Sequence, residues 1–133
     1  MKKTTFTQSG FTIIELMVAI VVVATIAMVA VVNIRTLRAQ DRDATKKRDI
    51  NAVYYQLESF HEANGYYPEI VSTKTLKGLD PATLVDTNQR TINQDGGSYT
   101  YAATGCKESK CTSYTLTADL EKEAPFIKLS LIR

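Results

Sequence analysis

The sequence predicts an α+β fold: a long N-terminal helix with a protruding apolar half, and an amphipathic half packed on a small antiparallel sheet of about three strands. Three observations predict it. Between Phe11 and Asn64 there is neither Gly nor Pro, so nothing in that stretch interrupts a helix. The stretch changes character midway: Phe11 to Val32 is apolar except for Thr12, Glu15 and Thr25, whereas Ile50, Val53, Tyr54, Leu57, Phe60 and His61 recur at helical spacing among polar residues. From Ser98 onward three runs alternate apolar and polar residues with the two-residue period of strands.

Residues 1–10, MKKTTFTQSG, are short, polar and basic and read as a leader peptide. Residues 11–33 form the apolar segment, about 22 residues or roughly 33 Å of helix, enough to cross the hydrocarbon of a bilayer. An ordinary secretory signal has a shorter apolar core with its small cleavage residues behind it. Here Ser9-Gly10 stands in front, so a cut at that point leaves the membrane segment on the product. Glu15 is the one carboxylate in this run, where an ionised side chain costs about 2.5–3.5 kcal/mol on insertion scales, and it therefore demands a partner.

Residues 34–64 continue the helix as its amphipathic half, with Lys46, Lys47, Asp49 and Glu58 expected on the face away from the core. The whole helix is expected to run about 50 residues, roughly 75–80 Å. Asn64-Gly65 supplies a stop because both tolerate the left-handed conformation, and Pro68 prevents resumption. Residues 65–97 are a connector rich in Asp, Asn and Thr, with one short helix expected near Pro81 to Val85.

Residues 98–133 hold the sheet, with strands expected at Ser98–Thr104, Thr112–Leu120 and Phe126–Ile132. The expected inner faces are Tyr99 and Tyr101, then Tyr114, Leu116, Ala118 and Leu120, then Ile127, Leu129 and Leu131. One apolar sheet face needs a cover, and the amphipathic half-helix provides it. The apolar half has nothing in its own chain to bury it, which leaves lipid or other copies of the protein.

At 133 residues the chain holds one globular unit and an appendage. Its formal charge is +2, but without Lys2 and Lys3 fourteen basic and fourteen acidic residues balance. A neutral product does not indicate nucleic-acid binding. Cys106 and Cys111 are the two cysteines and His61 the single histidine, too few to complete a zinc site. The pair therefore favours a disulfide between the first two strands over free thiols or half a metal site, and with it an oxidising compartment outside the cytoplasm.

The remaining candidates have bland readings. His61 occupies an apolar helical position and reads as a packed residue, and Tyr54, Tyr55, Tyr66 and Tyr67 read as core or interface aromatics. Asp95-Gly96-Gly97 looks like half a calcium loop but reads first as a turn, so no metal or cofactor is expected. No nucleophile-base pair, paired carboxylates or phosphate loop marks the chain as an enzyme.

The stretch GFTIIELMVAI at residues 10–20 resembles the N-terminus of type IV prepilins, a class that includes type II secretion pseudopilins and competence pilins. The resemblance implies a type IV pilin fold, cleavage after Gly10 by a prepilin peptidase, and N-methylation of the new terminus at Phe11. It gives Glu15 an assembly role as the glutamate that follows. It implies a structural subunit made in the cytoplasmic membrane and polymerised into an extracellular pilus. Its partners are then other pilin copies, an assembly platform and motor ATPases, and membrane lipid before assembly. Helix-then-sheet order, the AsnGlyTyrTyrPro element at 64–68 and the cysteine loop extend weaker similarity along the chain.

Physical chemistry gives Glu15 a compatible task. A freed Phe11 amine lies one turn before the carboxylate on the same helical side, and Glu15 is expected to meet the amine of a neighbouring copy during assembly. The alternatives are a minor pilin, a secretion pseudopilin or, from another class, a monotopic membrane-anchored binding protein. The cysteine loop favours a pilus over a secretion pseudopilus. Against the extracellular reading stand Arg35, Arg38, Arg42, Lys46, Lys47 and Arg48 after the apolar run, where the positive-inside rule expects few basic residues. The absence of Gly and Pro from the apolar half, unlike many pilins, predicts a continuous helix.

Overall fold

The computed structural model describes residues 10–132, and the expected leader lies outside the described residues except for Gly10. One α-helix, α1, runs from Ile13 to Asn64 over 52 residues, about 78 Å at 1.5 Å per residue. Its continuity follows from the missing Gly and Pro. It stops as the sequence requires: Gly65 takes a positive φ of 78°, its N–H donates to the His61 carbonyl at 2.7 Å, and the Asn64 side chain donates to the Phe60 carbonyl at 2.8 Å.

The chain divides into two compact units between Leu37 and Arg38. In the first, every described residue is exposed, including the whole apolar segment. The second holds the core. Along α1 the buried residues are Ala39, Asp43, Lys46, Ile50, Val53 and Leu57, a stripe advancing by three or four positions each time.

Among the described residues five strands follow the helix: β1 (Tyr67–Pro68), β2 (Tyr99–Thr104), β3 (Lys110–Cys111), β4 (Ser113–Ala118) and β5 (Phe126–Leu129). An antiparallel sheet of order β2-β4-β5 and a two-stranded β1-β3 ribbon make an α+β architecture of pilin type. The short pair β1-β3 was not expected from the sequence. A single 3-10 turn, Pro81–Leu84, stands where a short helix was expected, its start capped by Asp80, which accepts from Ala82 N at 2.9 Å.

Ile50, Val53 and Leu57 join Tyr99, Tyr101, Tyr114, Leu116 and Ala118 in one core. The connector contributes Tyr67, Val71, Leu76, Leu79 and Leu84 to it, so this stretch is structural as well as connecting. Its later part, residues 86–97, guards the free edge of β2. Asn93 Oδ1 accepts from Tyr101 N at 2.7 Å and Asn93 Nδ2 donates to Tyr101 O at 3.0 Å, so one side chain takes the place of a neighbouring strand. The buried Asp86 carboxylate holds the loop's base by accepting from the N–H groups of Asn88, Arg90 and Ser98 at 2.8–2.9 Å. Its burial alone would raise its pKa, but these backbone donors outweigh that and hold it below the usual value.

Two expectations about faces need correction. Strand β5 turns the opposite way from that expected: Ile127, Leu129 and Leu131 are exposed, while Phe126 and Lys128 are half-buried and Ser130 is buried. The pairing explains it, because Ala118↔Phe126 and Leu116↔Lys128 are directly opposed, and opposed residues share a face. The Lys128 ammonium lies 5.0 Å from the Tyr54 ring centre, so its stem packs inward while an aromatic face takes the charge. Second, Lys46, Asp49 and Glu58 do not form an outer polar face. Lys46 is only 3% exposed, and all three bond to the sheet or its loops.

Candidate processing and assembly site

The N-terminal site is built on the first turn of α1. Gly10 and Phe11 precede the helix in exposed backbone, with Phe11 75% exposed. Thr12 is the capping residue: its carbonyl accepts from Leu16 N at 3.1 Å and its hydroxyl faces Glu15 N at 3.4 Å. Thr12 and Glu15 therefore have capping-box spacing. Sequence reading overlooked this role of Thr12, although Thr-x-x-Glu ahead of an apolar run was the available signal. The Glu15 carboxylate lies in the first turn, near the helix's positive end, and has no hydrogen bond among the described residues.

Beyond Glu15 the same unit exposes a continuous apolar surface, including Leu16, Val18, Val21, Ile26 and Val29. By length and composition α1 holds a stretch long and apolar enough to cross a membrane. This surface is far more apolar than a soluble monomer keeps in water.

The head unit is rigidly tied by polar groups on α1. Arg42 forms a two-point fork with Glu121, Nε to Oε1 at 2.8 Å and Nη2 to Oε2 at 2.6 Å. The Arg42 hydrogen bonds hold the Glu121 carboxyl down at about 2. Asp43, only 2% exposed, accepts from the N–H groups of Glu121 and Lys122 at 2.8 and 2.9 Å. Lys46 donates to the Asp119 carbonyl at 3.1 Å, and Lys47 meets Glu123 at 2.6 Å. One helical stretch thus pins the whole β4-β5 connection. The basic run after the apolar segment is partly consumed here, within the chain.

Further along α1, carboxylates meet tyrosines of the sheet. Glu58 accepts from Tyr67 OH at 2.8 Å and Tyr114 OH at 2.7 Å, and Asp49 accepts from Tyr99 OH at 2.8 Å. Burial, then the bond to Glu58, pushes the Tyr67 hydroxyl up to about 12. The same two causes raise Tyr114 further. His61 stacks on Tyr67 with ring centres 4.4 Å apart, as a packed residue would.

Cys106 and Cys111 are joined in a disulfide. Between them Lys107 and Lys110 exchange two backbone hydrogen bonds of 2.9 Å. Glu108 and Ser109 both take positive φ, 49° and 63°, the geometry of a tight hairpin turn usually filled by Asn-Gly. The cysteines occupy the next pair down, which in such a ladder is the closely spaced, non-hydrogen-bonded one. The disulfide therefore clamps a turn whose own residues do not favour it. Through β3 it also fastens the hairpin tip to Tyr67 and Pro68. At the candidate calcium turn, Arg90 Nη1 donates to the Asp95 carbonyl at 2.9 Å, and no cluster of three or more metal-ligating side chains occurs among the described residues.

Residues 6–31 match the family model described as the prokaryotic N-terminal methylation motif. That segment contains Gly10, Phe11, Thr12 and Glu15, and it defines a type IV prepilin-like class III signal at the head of the apolar helix. With the α+β fold, the motif supports a precursor of the type IV pilin or pseudopilin type. No curated protein sequence and no solved structure matches the chain.

Proposed function

We propose that the protein is a structural subunit of a type IV pilus. It enters the cytoplasmic membrane as a precursor, is cut after Gly10, is methylated on the amine of Phe11, and is drawn by an assembly platform and motor ATPases into an extracellular filament. The observation that carries this reading is a single carboxylate, Glu15, five residues after Gly10 at the head of a helical stretch, residues 13–32, that is otherwise apolar but for Thr25 and exposed throughout.

In lipid, the new Phe11 amine and Glu15 neutralise one another along the first turn. In the filament, Glu15 of one copy meets the amine of another, and mismatched stacking leaves buried charge unpaired at a cost of about 3–5 kcal/mol. The disulfide-closed hairpin suits an extracellular head. Mass spectrometry of surface filaments sheared from cells tests the reading: subunits should begin at methylated Phe11, and Glu15→Val should abolish filaments while leaving membrane-inserted protein. Native protein that still carries residues 1–10 and is never found in filaments would overturn it.

A further inference from the structure

We propose, on the filament reading above, that the Glu15 carboxylate also accepts a hydrogen bond from the Asn33 side chain of another copy, displaced along the helix by five turns. Between Ile13 and Asn33 the polar side chains are Glu15, Thr25 and Asn33. Thr25 is satisfied within its own helix, its hydroxyl donating to the Val22 carbonyl at 2.8 Å. Thr36, just beyond, does the same with Val32 at 3.2 Å. Glu15 and Asn33 are exposed, and their side chains make no hydrogen bond among the described residues. They are the two polar groups of the apolar segment left to be met from outside.

Their spacing is informative. They stand eighteen residues apart, which is five turns at 3.6 residues each, so they lie on the same side of α1, about 27 Å apart along its axis. The track between them is apolar, through Ala19, Val22, Ile26 and Val29. Beside Asn33 a shallow groove lined by Thr25, Ile26, Val29 and Ala30 offers a seat for a neighbouring helix. Arg35 and Arg38 point to the other side of the helix and do not compete on this track.

Two such helices packed in parallel on this side have two arrangements to choose between. Without displacement Glu15 faces Glu15, and like charges oppose in a water-poor setting. Displaced by five turns, the carboxylate faces a complementary amide donor and forms a charge-assisted hydrogen bond. Each copy then offers its Asn33 to one neighbour and its Glu15 to another, the two seated on adjoining flanks of the shared track because helices of this length overlap in height, a head-to-tail contact that propagates without closing. A carboxylate has two acceptor oxygens, so this bond and one to a Phe11 amine are compatible.

The test uses the full chain assembled in cells. Asn33→Leu should lower filament yield by roughly tenfold, the effect of about 1.4 kcal/mol per contact, with membrane content and removal of the leader unchanged. Asn33→Gln should restore it. Ala19→Cys with Leu37→Cys has the same eighteen-residue offset and should give covalent ladders on oxidation of sheared filaments. Ala19→Cys with Ala30→Cys should not. Wild-type yield from Asn33→Leu, or ladders from the second pair alone, would overturn the proposal while leaving the filament reading intact. Failure of the unsubstituted chain to form filaments would overturn both.

Discussion

Replacing Glu58 tests how the helix holds the sheet. This carboxylate accepts from two buried hydroxyls, Tyr67 at 2.8 Å and Tyr114 at 2.7 Å, with Leu131 N more distant at 3.4 Å. Hydrogen bonds to a charged group contribute about 1.5–3 kcal/mol each, and removing one partner strands the other without water. Glu58→Leu therefore should lose about 3–5 kcal/mol, a large part of the roughly 5–15 kcal/mol that holds a small domain together. The cost arises from stranding, so replacing all three polar partners should cost less than replacing one. Glu58→Leu combined with Tyr67→Phe and Tyr114→Phe should recover more than half of the loss. The full chain in detergent micelles, unfolded with urea, gives the measurement. Its seven tyrosines lie between Tyr54 and Tyr114 and there is no tryptophan, so near-ultraviolet circular dichroism reports the head alone. A loss below about 1 kcal/mol for Glu58→Leu, where two charged-group hydrogen bonds are removed, would refute the reasoning. So would a triple variant no more stable than the single one.

Three further outcomes are expected. Tyr67 has its folded pKa raised to about 12 by burial and by Glu58; the stability this represents is present below about 10 and is lost as pH rises through about 12, so alkaline unfolding followed at 295 nm should coincide with late tyrosinate formation. Glu121 has its folded pKa lowered to about 2 by Arg42; its contribution is present above the ordinary carboxylate range and is lost as pH falls through about 2, so the protection of the Glu121 and Lys122 amides, taken against their intrinsic exchange rate at each pH, should fall there, and Arg42→Ala should move that fall to higher pH. Reducing the disulfide, or replacing Cys106 and Cys111 by Ser, should cost at most about 2 kcal/mol because the closed ring is small. Proteolysis should then cut first between Lys107 and Lys110.

The helix and the N-terminal methylation motif were the most legible parts of the sequence, since each is written in contiguous residues. A stretch without Gly or Pro, an Asn-Gly stop and a lone acid after Gly-Phe depend on nothing distant. The face of β5 was not legible. Alternation shows that two faces exist, but the register with Ala118 and Leu116 chooses the inner one, and the choice put Ile127 and Leu129 outside. Lys46, Asp49 and Glu58 were misplaced for a related reason. Helical periodicity separates apolar from polar residues, whereas a polar residue with a buried partner is recognised only once Tyr99, Tyr114 and Asp119 are brought beside it. The two-residue ribbon of Tyr67 and Pro68 with Lys110 and Cys111 was too short to leave a pattern.

The β2 margin of the sheet is occupied by the chain's own groups. Asn93 takes the backbone positions of Tyr101 that a visiting strand would need there. Crowded heads consequently cannot stitch themselves into larger sheets along that side, and no other molecule is needed to keep it closed.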